Sequence, residues 1–288
     1  MNQNLKLRII TSLVGVPIIL GLLLGMGIEG VAIFAWVISM GMLYEYCRMF
    51  FNLKDANRKT VIAIVIGTFL HIFYYIYNPS ICAPLLGLGP VFGFFVVFLL
   101  LVPGLLNYGG AAALNSPEGG ELIAKHVQEL MAICFGMVYC VWFPLLMVAV
   151  REWNGGKFWV LLGLVVVWST DVFAYFGGKY FGKHLLYETV SPKKTIEGAV
   201  TGMVFALFLG TIFGRIFLPG VSIPILAFII LTMSVASIVG DLAESLLKRA
   251  SHKKDSGSIL PGHGGFLDRF DGVVFAMPAL YTLLWLLT

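Results

Sequence analysis

The residues best suited to chemistry are four carboxylates in the segment 240–271. Asp241 and Glu244 are three residues apart at the end of a long apolar run, so a helix places both on one face. Asp268 and Asp271 have the same spacing at the start of the next apolar run, where a helix N-terminus favours negative charge. If the ends of these two runs face each other, the carboxylates can hold hard cations through oxygen. All four are therefore candidate metal ligands.

Basic residues and glycines are interleaved with these acids. His263, Gly264 and Gly265 follow a Pro-Gly pair, and such glycines let backbone N–H groups approach a phosphate closely. Acids for a metal beside bases for phosphate suit phosphoryl or nucleotidyl transfer, because both neutralise charge around the reacting phosphorus. The alternative is a solvated loop that follows the positive-inside rule, which leaves the four acids unexplained. The basic residues are Lys248, Arg249, Lys254 and Arg269.

A further acid lies inside an apolar run. Asp171 precedes Tyr175 near the end of the run 157–178, roughly 10 Å below the membrane surface at the rise of an α-helix. An ionisable group at this depth is either functional or half of an ion pair with a neighbouring helix. We expect Asp171 and Tyr175 to contribute to substrate binding.

The segment 191–198 predicts a helix start next to two lysines. Thr195 can cap the helix, and Glu197 suits its first turn. Lys193 and Lys194 then lie beside a helix N-terminus, which attracts anions. An ordinary capped loop with positive-inside charges is the alternative.

The elements that position these residues are membrane helices. Hydrophobic residues make up 59% of the 288 and charged residues 12%, and mean hydropathy is +0.93. A soluble domain carries roughly 25% charged residues, so lipid must be the solvent of this chain. The sequence predicts an all-α, polytopic membrane protein formed by one domain, 1–288, with an N-terminal helical part (1–150) and a catalytic part (151–288).

Nine apolar runs are long enough to span a bilayer, which takes about 20 residues. We expect the segment 107–125 to be a loop, with a short interfacial helix as an alternative, and the eighth run to continue as a helix beyond the lipid. With the N-terminus in the cytoplasm, 16 of the 19 basic residues fall on the cytoplasmic side, together with the polar segments above. The nine runs are 9–27, 31–50, 60–78, 83–103, 128–150, 157–178, 198–217, 222–247 and 272–287.

Several other residues receive structural interpretations. The four cysteines lack CxxC spacing and are expected to be buried thiols. Glu45 is expected to pair with Arg48, and His71 to be a core histidine. Nucleic-acid binding is not expected, because Lys and Arg form no long run. A homodimer is compatible with such a fold, although no residue indicates one.

The segment 245–271 closely resembles the signature of the phosphatidate cytidylyltransferases, also called CDP-diacylglycerol synthases. The Asp-x-x-Ala-Tyr element at Asp171 and the Ser-Pro-Lys-Lys-Thr-x-Glu-Gly element at Ser191 are also similar to elements of that family. The matching signature residues are Ser245, Lys248, Arg249, Lys254, Asp255, Gly257, His263, Gly264, Gly265, Asp268, Arg269 and Asp271.

This resemblance implies that CTP and phosphatidate, a membrane lipid, react to give CDP-diacylglycerol and pyrophosphate. It implies Mg²⁺ as cofactor, with a second cation as an open alternative, at the cytoplasmic face of a bacterial cell membrane. Asp241, Asp268 and Asp271, with Glu244, would hold the metal. The remaining roles follow the same resemblance: Lys248, Arg249 and Arg269 would neutralise phosphate charge; Lys193, Lys194, His263, Gly264 and Gly265 would cradle phosphate; Asp255 would orient Lys254 or a metal-bound water; Ser191, Thr195 and Ser245 would bind substrate.

Two other functions fit parts of the sequence. The CDP-alcohol phosphotransferases also use acids in the membrane, but they need an Asp-Gly-x-x-Ala-Arg element. Here Asp271 and Gly272 are followed by Val-Val-Phe-Ala, so that pattern is broken. A transporter could use Asp171 and the acids at the helix ends as a cation path. A transporter would leave CTP unchanged.

Overall fold

The computed structural model describes residues 3–51, 53–81, 117–262 and 264–287. The predicted span 83–103 and His263 lie outside these residues. A π-helical segment, Val138–Trp142, joins α4 to α5. The elements are α1 (Gln3–Gly25), α2 (Gly27–Phe50), α3 (Leu53–Ile81), α4 (Pro117–Met137), α5 (Phe143–Arg151), α6 (Gly156–Phe181), β1 (Leu185–Tyr187), β2 (Ser191–Thr195), α7 (Ile196–Phe217), α8 (Ile223–Ala250) and α9 (Leu267–Leu287).

The described residues form a helical, polytopic membrane protein, as predicted. Seven helical segments within them are long and apolar enough to cross a membrane, and α1 adds a shorter apolar stretch, Ile9–Gly25. The segments α4, Val138–Trp142 and α5 form one of the seven, Val127–Arg151. Helix α8 has 28 residues and continues past the predicted span to Ala250, which confirms the expected extension.

Residues 107–116 of the predicted loop segment lie outside the described residues. In the rest of that segment helix α4 begins at Pro117, which favours the alternative of a helix there over a loop throughout. Proline fits the first turn of a helix, because its fixed φ is helical and its missing N–H is not needed there. The segment 185–195 was not expected to contain strands, but β1 and β2 form an antiparallel pair with Leu185 opposite Thr195.

Helix pairs bring the polar segments together. Helix α6 packs most closely on α7, and α8 on α9. A Cβ at Gly240 of α8 would overlap the carbonyl oxygen of Asp271, and a Cβ at Gly272 would overlap Ser237 Oγ. Glycine at these two positions therefore allows α8 and α9 to approach at the level of the predicted acids, as small residues do in membrane bundles.

The interior away from these acids is apolar, with a few satisfied polar groups. His71 is buried between α2 and α3, with Nε2 3.3 Å from Ser39 Oγ and Nδ1 3.1 Å from the carbonyl oxygen of Gly67. The prediction of a core histidine is confirmed. Of the cysteines, Cys47, Cys134 and Cys140 are free thiols, and Cys82 lies outside the described residues.

Candidate active site

A cavity of about 500 Å³ opens where α6, the β-hairpin, and the adjoining ends of α7, α8 and α9 meet. It contains most of the acids and lysines that the sequence singled out. Its polar and charged lining consists of Thr170, Asp171, Tyr175, Lys179, Ser191, Lys193, Lys194, Thr195, Asp241, Glu244, Lys248, Asp268 and Asp271.

Three carboxylates converge on one wall of this cavity. One oxygen of each of Asp241, Glu244 and Asp271 lies within 4.8 Å of the others. Asp241 and Glu244 share a face of α8, and the close approach of α9 at Gly240 brings Asp271 to them. Asp241, Glu244 and Asp271 thus form a three-acid group.

The three-acid group fits a hard divalent cation. Glu244 and Asp271 are buried, and Glu244 Oε1 has no hydrogen-bond partner in the part of the chain that the structure describes. A buried carboxylate oxygen without a donor is costly, and a cation bound to it would remove that cost. Among the described lining residues, five carboxyl groups stand beside four lysines, so the formal charge of the lining is negative. A divalent cation reverses that sign, and oxygen-only ligands are the set that Mg²⁺ prefers.

Lys248 connects the three-acid group to Asp268. Its Nζ lies 2.5 Å from Glu244 Oε2 and 2.7 Å from Asp268 Oδ1. Only 16% of the Lys248 side chain and 1% of the Glu244 side chain is exposed. This ion pair is therefore largely withdrawn from water. In such a buried pair, the loss of one partner leaves the other charge uncompensated.

Asp268 lies beside the three-acid group but is not part of it. Its Oδ2 accepts hydrogen bonds from Ser256 Oγ (2.8 Å), the Ser256 backbone N–H (3.3 Å) and the Gly265 N–H (3.2 Å). With Lys248 on Oδ1, the carboxylate already has four donors. Its predicted role as a metal ligand stays a prediction, whereas its observed contacts hold Lys248 and the preceding loop.

The backbone N–H groups of Gly264 and Gly265 are paired within the protein. The Gly264 N–H donates to the Leu260 carbonyl oxygen (3.1 Å), and the Gly265 N–H donates to Asp268. Their role in a phosphate cradle stays a prediction, since a phosphate would have to displace these acceptors. Gly264 has a φ of +86°, which explains glycine there by backbone conformation.

The rest of the lining carries the residues predicted near α6 and α7. Asp171 and Tyr175 line the cavity from α6, as Ser191 and Lys193 do from β2. Lys194 forms an ion pair with Asp241 of the three-acid group. Thr195 Oγ1 accepts a hydrogen bond from the Gly198 N–H at 3.1 Å, which confirms the predicted helix cap. The cap fixes the end of β2 that carries both lysines.

Besides Gly264 and Gly265, five predicted residues do not line the cavity. Ser245 is buried in the helix packing, and Lys254 and Asp255 are exposed. Arg249 Nε donates to the Val190 carbonyl oxygen at 3.3 Å, so it holds the hairpin. Arg269 is exposed outside the lining, although its positive charge acts on the Asp171 carboxylate.

Two residues beside the site, Glu45 and Ser256, were not among the site residues predicted from the sequence. Glu45 is only 2% exposed; its Oε2 accepts a hydrogen bond from the Leu267 N–H at 3.0 Å and lies 3.2 Å from Ser256 Oγ. Its predicted pairing with Arg48 was wrong, because Arg48 donates instead to the hydroxyl of Tyr44 (2.8 Å). Glu45 lies about 200 residues before the loop it contacts, and no local pattern relates the two.

The fold and the site together define a polytopic helical membrane protein with a cavity of clustered acids and lysines at the ends of its helices. The cytidylyltransferase family model matches residues 6–287, so the chain belongs to that family. It is 50% identical over 129 residues to phosphatidate cytidylyltransferase of Bacillus subtilis (strain 168), covering 45% of this chain and 48% of that protein.

Other relatives carry the same name. The protein of Staphylococcus saprophyticus is 43% identical over 130 residues, covering 45% of this chain and 50% of the relative. The protein of Staphylococcus aureus (strain COL) is 43% identical over 129 residues, with the same coverage of both chains. The chain spans about half the length of the curated relatives it matches.

Proposed function

We propose that this chain transfers CMP from CTP to phosphatidate, giving CDP-diacylglycerol and pyrophosphate. The observation that carries the proposal is the cavity in which the three-acid group faces the lysines of β2 and α8. Membership of the cytidylyltransferase family and the printed names of the bacterial relatives support the choice of substrates. A cavity at the ends of membrane helices suits a reaction between a water-soluble nucleotide and a lipid.

The chemistry needs positioning and charge neutralisation. An oxygen of the lipid phosphate forms a bond to the α-phosphorus of CTP, and the bond from that phosphorus to pyrophosphate breaks. The attacking phosphate is already anionic, so no general base is required. Lys193 and Lys248 would neutralise phosphate oxygens, and Lys194 would hold Asp241 in place. Asp241, Glu244 and Asp271 would hold Mg²⁺, whose charge would stabilise the transferred cytidylyl group and the leaving pyrophosphate.

We further propose that the cavity faces the cytoplasm of a bacterial cell. The lysines of the hairpin and of the α8–α9 loop lie on the side that the positive-inside rule assigns to the cytoplasm, where CTP is available. A second cation and a homodimer also stay proposals. Accessibility labelling of a single cysteine placed at Lys254, an exposed position in the loop, tests the orientation in intact cells.

A direct assay tests the activity. The purified chain in detergent receives CTP labelled at the α-phosphate, phosphatidate and Mg²⁺, and the label is followed into the lipid phase. We expect label in lipid with the wild type and at least a hundredfold less with Asp271→Asn, because a carboxylate of the three-acid group is lost. Glu29→Gln is the control, since Glu29 is exposed in the first turn of α2 and does not line the cavity. Unchanged CTP with the wild type would favour a transporter and refute the proposal.

A further inference from the structure

Glu45 has a carboxylate enclosed by the loop between α8 and α9. Besides its contacts with Leu267 and Ser256, a Cβ added at Gly257 or Gly265 would overlap the Glu45 carboxylate. The loop backbone therefore closes directly around this side chain. Glu45 itself does not line the cavity.

A continuous set of contacts leads from Glu45 to the three-acid group. The Ser256 hydroxyl lies between the carboxylates of Glu45 (3.2 Å) and Asp268 (2.8 Å). Asp268 accepts from Lys248 at 2.7 Å, and Lys248 lies 2.5 Å from Glu244. Each of these contacts joins a different segment: α2, the loop, α9 and α8. The position of the Lys248 ammonium group thus depends on a residue of α2.

We propose, resting on the proposed function, that Glu45 is a positioning residue of the reaction, which holds Ser256 and Asp268 so that Lys248 points into the cavity. Glu45 touches neither substrate nor metal in this arrangement; it acts through Lys248. A buried carboxylate that accepts a backbone N–H and contacts a hydroxyl fixes both groups more firmly than packing alone. Supporting residues of this kind typically change activity by about 10- to 100-fold when removed.

Three variants test the proposal by CTP turnover with phosphatidate. Glu45→Ala should lower kcat about 10- to 100-fold with little change in the KM for CTP, because Lys248 loses its position while the other lysines remain. Glu45→Gln should recover most of kcat, since its amide oxygen can take the place of Oε2, which accepts from the Leu267 N–H and contacts the Ser256 hydroxyl. Ser256→Ala should lower kcat to a similar extent as Glu45→Ala. It tests the same contacts if Glu45→Ala does not fold. Glu129→Gln, which breaks a 2.7 Å ion pair with Lys59 elsewhere in the bundle, is the control.

A double variant separates positioning from a general structural role. In the Lys248→Met background, Glu45→Ala should reduce kcat no further, because the two residues act as one unit. Effects that multiply in the double variant, or a wild-type kcat in Glu45→Ala, would overturn the proposal. Hydrogen exchange of the amides at 256–268, faster in Glu45→Ala than in Glu45→Gln, gives a reading that needs no activity. If the wild type makes no product, the proposed function fails, and exchange alone decides whether Glu45 holds the loop.

Discussion

Replacement of Lys248 by Met should destabilise the folded protein by about 3–5 kcal/mol, the usual cost of removing one partner of a buried ion pair. Lys248 Nζ lies 2.5 Å from Glu244 Oε2 and 2.7 Å from Asp268 Oδ1, so these two oxygens are at most about 5 Å apart. Without the ammonium group, two negative charges at that separation repel each other by about 3 kcal/mol at an effective dielectric constant near 20. This repulsion alone accounts for the lower end of the range.

The free energy of unfolding, measured by denaturant titration in mixed micelles without added divalent cation, checks this value. Adding Glu244→Gln to the Lys248→Met variant should restore part of the lost stability, because it removes the uncompensated buried charge. Lys254→Met, at an exposed position outside the cavity, should cost less than about 1 kcal/mol. A similarly small cost for Lys248→Met, or a further loss on adding Glu244→Gln, would refute the reasoning.

Three other substitutions have defined outcomes. Thr195→Ala should lower the free energy of unfolding by about 1 kcal/mol through loss of the α7 cap, and Thr195→Ser should not; equal losses in the same denaturant titration would contradict the capping role. Gly264→Ala should cost about 1–2 kcal/mol because of its φ of +86°, and an unchanged unfolding curve would show that this conformation is not required. Lys193 lines the cavity without an ion-pair partner among the described residues, so Lys193→Gln should raise the KM for CTP several-fold with kcat nearly unchanged; initial rates at varied CTP check this, and an unchanged KM would count against phosphate binding there.

The membrane architecture was predictable because it depends on composition and run length. Local spacing also placed Asp241 and Glu244 on one face and Thr195 at a helix cap, since both follow from helix geometry over three residues. The convergence of Asp271 with this pair required one additional fact, the close packing of α8 and α9, which the sequence indicated only through the order of the runs.

Contacts between distant segments were not predictable in the same way. Glu45 was assigned to Arg48 because a sequence shows near neighbours, whereas its actual partners are fixed by the packing of α2 against the α8–α9 loop. Paired glycines such as Gly264 and Gly265 are typical of loops that bind phosphate. Their N–H groups donate here to the Leu260 carbonyl oxygen and to the Asp268 carboxylate, and this pairing depends on the path of the whole loop.

Helix α8 is longer than the hydrocarbon layer of a bilayer is thick, so its two ends cannot both lie within the lipid. Its 28 residues extend about 42 Å, whereas the hydrocarbon layer of a bilayer is about 30 Å thick. If Ile223 lies at one boundary of that layer, Asp241 lies about 27 Å along the helix, just inside the other boundary, and Lys248 lies beyond it. One continuous helix thus carries Asp241 at the edge of the hydrocarbon layer and Lys248 at the level of the lipid headgroups, where protein packing still shields the lysine from water. Under the proposed function, this level lets a nucleotide from the water and a lipid headgroup from the bilayer reach the same cavity.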